Sequence, residues 1–89
     1  MPAIRIIITG SVHGVFFRKT AKQQADALNI AGWVRNTEDG NVEIHAEGSP
    51  EDLELFQSWC HKGPTVARVE NVTVKNVPEE YFTSFEVRR

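Results

Sequence analysis

The residues Gly10-Ser11-Val12-His13-Gly14-Val15-Phe16-Phe17-Arg18 combine the parts of an anion cradle. Two glycines let backbone N–H groups converge on one point, and a following helix adds unpaired N–H groups and a favourable dipole. Arg18 falls in the first turn of that helix, where its planar fork can grip phosphate or carboxylate oxygens. The dipole there favours negative charge, so a cation gives the helix little, and the mismatch points to a ligand. A second polar group, Arg35-Asn36-Thr37, lies at the end of an apolar stretch further along.

The elements that must position these residues follow from patterning. Residues 3–9 are rich in β-branched side chains and predict a strand with Ile4, Ile6 and Ile8 on one face. Residues 16–28 predict a helix burying Phe17, Ala21, Ala25 and Leu28, closed by Asn29 in a left-handed conformation. Residues 31–36 predict a second strand. Glu38-Asp39-Gly40 supplies a hairpin turn, and 41–47 alternates Val42, Ile44 and Ala46 against an outward face of Glu43, His45 and Glu47. Ser49-Pro50-Glu51-Asp52 starts a second helix, with N-cap serine and proline in the first turn. It runs to about His61, buries Leu53, Phe56 and Cys60, and ends at Gly63-Pro64. Residues 66–77 predict a long strand whose alternation slips near Glu70-Asn71, which indicates a β-bulge. Residues 82–88 predict a short final strand.

This order, β-α-β-β-α-β with a trailing strand, is the α+β ferredoxin-like sandwich: an antiparallel sheet with both helices on one face. All 89 residues form one domain. Strands one and two run the same way with a strand between them. Their C-terminal ends therefore bring Asn36 and Thr37 towards the Gly10–Arg18 loop.

On these residues the chain resembles the acylphosphatase family. Its first signature, approximately Gly-x-Val-x-Gly-Val-x-Phe-Arg, is met by Gly10, Val12, Gly14, Val15, Phe17 and Arg18. The second is met by Gly32, Trp33, Val34, Asn36, Asp39, Gly40 and Val42. The resemblance implies hydrolysis of a small-molecule acyl phosphate to a carboxylate and inorganic phosphate, without cofactor or metal. It implies that Arg18 binds phosphate together with the loop of Ser11, Val12, His13, Gly14, Val15 and Phe16. Asn36 then positions water, with Gly10 and Thr37 in support. Two positions depart from the family pattern: His13 stands where glutamine is usual, and Asn29 where glycine is usual.

The chemistry is consistent with so sparse a site. A phosphoryl group in transfer spreads charge over its peripheral oxygens, so fixed donors and one cation are the main requirement. The carboxylate leaving group needs no protonation, and Asn36 can hold a water in line although it is no base.

Composition excludes other classes. Net charge is −2, so no broad field draws nucleic acid. The single cysteine excludes an internal disulfide and suits a reducing compartment. The histidines His13, His45 and His61 show no metal-ligand spacing, and no apolar run reaches membrane-spanning length. A cytoplasmic monomer without nucleic-acid or membrane partners is expected. Two alternatives come from other classes. One is a non-catalytic anion-binding regulatory domain. The other is an RRM-like RNA-binding module, disfavoured by the glutamates and histidine on the third strand.

Overall fold

A computed structural model describes residues 1–12 and 16–88. The loop residues His13, Gly14 and Val15 lie outside the described residues. The elements are β1 (Ala3–Ser11), α1 (Phe17–Ala27), β2 (Ala31–Asn36), β3 (Val42–Glu47), α2 (Pro50–Lys62), β4 (Arg68–Val77) and β5 (Phe85–Val87). The sheet order is β4-β1-β3-β2-β5. The β1–β3, β1–β4 and β2–β3 pairs are antiparallel, as expected for the ferredoxin-like plan. The trailing strand adds a parallel pair, β2 with β5, so the full sheet is mixed. Only Phe85–Val87 of the expected 82–88 forms this strand.

The period-two apolar residues of the sheet meet the apolar stripes of the helices. Ile4, Ile6, Ile8, Val34, Val42, Ile44 and Ala46 pack against Phe17, Ala21, Ala25, Leu53, Phe56 and Cys60. Helix α2 begins as its sequence dictates: the Ser49 hydroxyl accepts the Asp52 N–H at 3.2 Å, and Pro50 opens the first turn. Asn29 takes a left-handed φ of 57° after α1. The expected bulge is present, since Thr9 faces Asn71 while Gly10 faces Val69, which leaves Glu70 unopposed. Gly10 is required there: at φ 129° a Cβ would lie 2.1 Å from the Arg68 carbonyl oxygen.

One expectation is corrected. His45, expected on an exposed strand face, is fully buried, and Glu47 beside it is only 2% exposed. The cause is topological. Strands β4 and β5 occupy opposite edges, so the chain between them must cross the helix-free face of the sheet. This strap covers both side chains. Glu47 accepts the backbone N–H groups of Glu80 and Phe82, and the Phe82 ring lies 5.4 Å from the His45 ring. Arg5 donates to His45 Nδ1 at 3.3 Å. A guanidinium has no acceptor, so the imidazole proton resides on Nε2 and is donated to Glu47 at 2.7 Å. Trp33 completes this layer, stacked with His45 and flanked by the guanidinium groups of Arg5 and Arg88 at 5.0 and 4.9 Å.

Candidate active site

Both C-terminal ends of β1 and β2 open on one edge of the sheet, where they meet the start of α1 and the end of β5. Between them lies a cleft of about 930 Å³ whose walls include Val12, Phe16, Arg18, Asn36, Thr37 and Val87. Arg18 and Asn36, distant in sequence, thus face one cavity. Phe16 precedes α1 in a left-handed conformation (φ 62°, ψ 20°), and its carbonyl accepts both the backbone N–H and the hydroxyl of Thr20 at 3.0 Å. No side chain caps the helix start, and no acid stands in its first turn. The first N–H groups of α1 and its positive dipole end therefore remain available to an anion.

Arg18 is held from outside its own helix. Its Nη1 donates to the Arg88 carbonyl at 2.9 Å, just beyond β5. The backbone continues the β2–β5 pairing at this point, with Arg88 N–H donating to the Val34 carbonyl at 2.8 Å. One neutral carbonyl fixes the guanidinium while leaving its charge uncompensated, and among the described residues no carboxylate pairs with it. Lys22, one turn on, is engaged: it bonds Asp26 at 3.0 Å and the Phe85 carbonyl at 3.1 Å. A cation aimed at the cleft thus coexists with a net acidic chain.

Thr37 shapes the turn that carries Asn36. Its hydroxyl accepts the Asn41 N–H at 3.1 Å and its own N–H donates to the Asn41 carbonyl at 2.9 Å. The hydroxyl is therefore committed to the hairpin. Gly40 follows at φ 86° with open space around its Cα. Of the remaining loop residues, Val12 is buried in the cleft wall, whereas Ser11 is exposed at the end of β1 and lines no part of the cleft. Gly10 serves the β4 bulge. The contribution of β5, through Val87 and the Arg88 carbonyl, had no counterpart in the sequence, because a backbone acceptor carries no residue-type signal.

The family model for acylphosphatases matches residues 4–87. The chain belongs to the acylphosphatase family. A relative named acylphosphatase from Nocardioides sp. is 46% identical over 86 residues, covering 97% of this chain and 87% of the relative. One from Legionella pneumophila (strain Corby) is 48% identical over 84 residues, covering 94% and 92%. The crystal structure of acylphosphatase from Bacillus subtilis superposes with a TM-score of 0.97 at 36% identity, covering both chains completely. Membership in the acylphosphatases agrees with the ferredoxin-like plan and with both signatures. The open-sheet platform of an RNA-binding module has no counterpart here, since the strap lies over His45 and Glu47 on that face and Arg5 and Arg88 lie against the Trp33 ring. No helix among the described residues is long and apolar enough to cross a membrane.

Proposed function

We propose that this chain hydrolyses the carboxyl–phosphate bond of small acyl phosphates, with Arg18 and the 10–16 loop holding the phosphate and Asn36 holding the attacking water. The observation that carries this reading is the convergence of Arg18 and Asn36 on one cleft, with the guanidinium braced by a backbone carbonyl and paired with no carboxylate among the described residues. The α1 N–H groups and the guanidinium supply fixed donors to the peripheral oxygens as charge develops on them. The Asn36 carboxamide is neutral at every working pH, so it orients water without removing its proton. Water attacks phosphorus, the P–O bond to the acyl group breaks, the electron pair leaves with the carboxylate, and both hydrogens of the water end on the released inorganic phosphate. The weak basicity of that leaving group makes a general acid unnecessary, and the guanidinium and backbone N–H groups take up the phosphoryl charge in a reading that includes no metal or organic cofactor. Nothing in this scheme requires a second subunit, and the reading includes a monomer acting in the cytoplasm.

Hydrolysis of benzoyl phosphate in oxygen-18 water tests the reaction. Label in inorganic phosphate supports attack at phosphorus. Label in benzoate overturns it, and phosphate binding without turnover supports the regulatory-domain alternative.

A further inference from the structure

An acyl phosphate carries two electrophilic centres, and Arg18 and Asn36 address only phosphorus. The neighbouring carbonyl carbon is open to an amine within reach, and helix α1 brings one to the same cavity. Arg18, Lys19, Lys22 and Asp26 all line the cleft, at the spacing of one helix face. The lysines differ in what holds them. The Lys22 ammonium donates to Asp26 at 3.0 Å and to the Phe85 carbonyl at 3.1 Å, which ties its head to α1 and β5. Lys19 is exposed and has no side-chain hydrogen-bond or ion-pair partner among the described residues. Of the carboxylates lining the cleft, Asp26 is taken by Lys22, and Glu38 stands on the β2–β3 turn without a bond to Lys19. The flexible four-carbon stem of Lys19 is thus left to sweep the cavity beside the guanidinium. A phosphate held by Arg18 leaves the acyl carbon one oxygen away, inside the cavity that Lys19 borders.

We propose that Lys19 is a self-acylation site, modified by the acyl phosphate that the cleft binds. This rests on the functional reading above and adds a second outcome for the bound substrate. Once the ammonium has lost a proton to solvent, Nζ attacks the carbonyl carbon and the C–O bond to phosphate breaks. The electron pair leaves with the phosphate, which takes up one amine proton, and an amide remains on Lys19. Holding both reactants in one cavity makes the step effectively unimolecular, an advantage that a lysine elsewhere on the surface lacks. The amide is neutral, so each acylated chain loses one positive charge from its cleft.

Incubation with benzoyl phosphate followed by peptide mass spectrometry tests this in the wild type, Asn36→Ala and Arg18→Ala. Circular dichroism checks folding, and calorimetry gives the affinity for inorganic phosphate. Lys62 and Lys75 are exposed, lie on α2 and β4 outside the cleft, and serve as references within the same chain. In the wild type Lys19 should be benzoylated about tenfold faster than either reference, and inorganic phosphate should suppress the excess. Asn36→Ala should enlarge the excess, because substrate stays bound but is hydrolysed slowly. Arg18→Ala should bring Lys19 down to the reference rate. A Lys19 rate equal to the references, in a wild type that binds phosphate, overturns self-acylation alone. An excess that survives in Arg18→Ala or in saturating phosphate also overturns it, since the lysine then reacts without substrate held in the cleft. A wild type that binds no phosphate overturns the anion site and this proposal with it.

Discussion

Replacing Glu47 with glutamine should loosen the strap that closes the helix-free face. The carboxylate accepts from His45 Nε2 at 2.7 Å, from the Phe82 N–H at 3.0 Å and from the Glu80 N–H, all in a site 2% exposed. Each such bond to a charged acceptor is worth about 1.5–3 kcal/mol. Glutamine keeps the shape but offers one carbonyl oxygen, and its NH2 must face at least one of the three donors. Lost charge assistance plus one orphaned buried N–H, itself about 1–3 kcal/mol, gives a net destabilisation of about 2–4 kcal/mol. For a domain of this size that lowers Tm by roughly 10–30 °C. Urea unfolding followed by circular dichroism reads the difference directly. Glu80→Gln is the natural contrast: its half-exposed carboxylate stands 3.7 Å from Arg5, so its loss should cost no more than about 1 kcal/mol. A Glu47→Gln loss below about 0.5 kcal/mol, or equal losses in the two variants, would refute the claim that the buried carboxylate latches the strap.

Three further outcomes follow from the same structure. Burial works to raise the Glu47 carboxyl, but hydrogen bonds from His45, Glu80 and Phe82 outweigh it and hold the group below its ordinary 4.5. Its stabilising contribution is therefore complete above that value and lost as pH falls from about 4.5 through the lower folded-state value; wild-type urea midpoints should drop in this window, and Glu47→Gln should lack that component. Cys60 is fully buried and its thiol is pushed up to about 12 by desolvation, so a disulfide thiol reagent at pH 8 should react only after denaturant is added. Gly32 has φ 139°, and a Cβ there would lie 1.8 Å from the His45 carbonyl oxygen, so Gly32→Ala should cost more than about 3 kcal/mol, seen as little soluble protein or a collapsed Tm.

The sequence made the helix-facing half of the fold legible because periodicity reports it directly. Ile4, Ile6 and Ile8 alternate, Ser49-Pro50 signals a helix start, and the phase slip at Glu70-Asn71 marks the bulge. The same alternation placed His45 and Glu47 together on the opposite face but could not tell whether that face was wet. What covers it is the stretch between β4 and β5, which has neither helical nor strand period and is fixed by hydrogen bonds to Glu47. Of the candidate site, the meeting of Arg18 and Asn36 at one cleft was legible through motif and topology together. The brace on Arg18 was not, since the Arg88 carbonyl would be the same acceptor whatever residue stood there.

The central claim is that Arg18 grips the phosphate while Asn36 steers water. The most direct measurement is benzoyl phosphate hydrolysis together with the phosphate inhibition constant for wild type, Arg18→Ala and Asn36→Ala. Arg18→Ala should lose both phosphate affinity and turnover. Asn36→Ala should lose turnover by about 10²-fold or more while keeping phosphate affinity. Near-wild-type turnover in either variant, or loss of phosphate affinity in Asn36→Ala alone, would contradict the account.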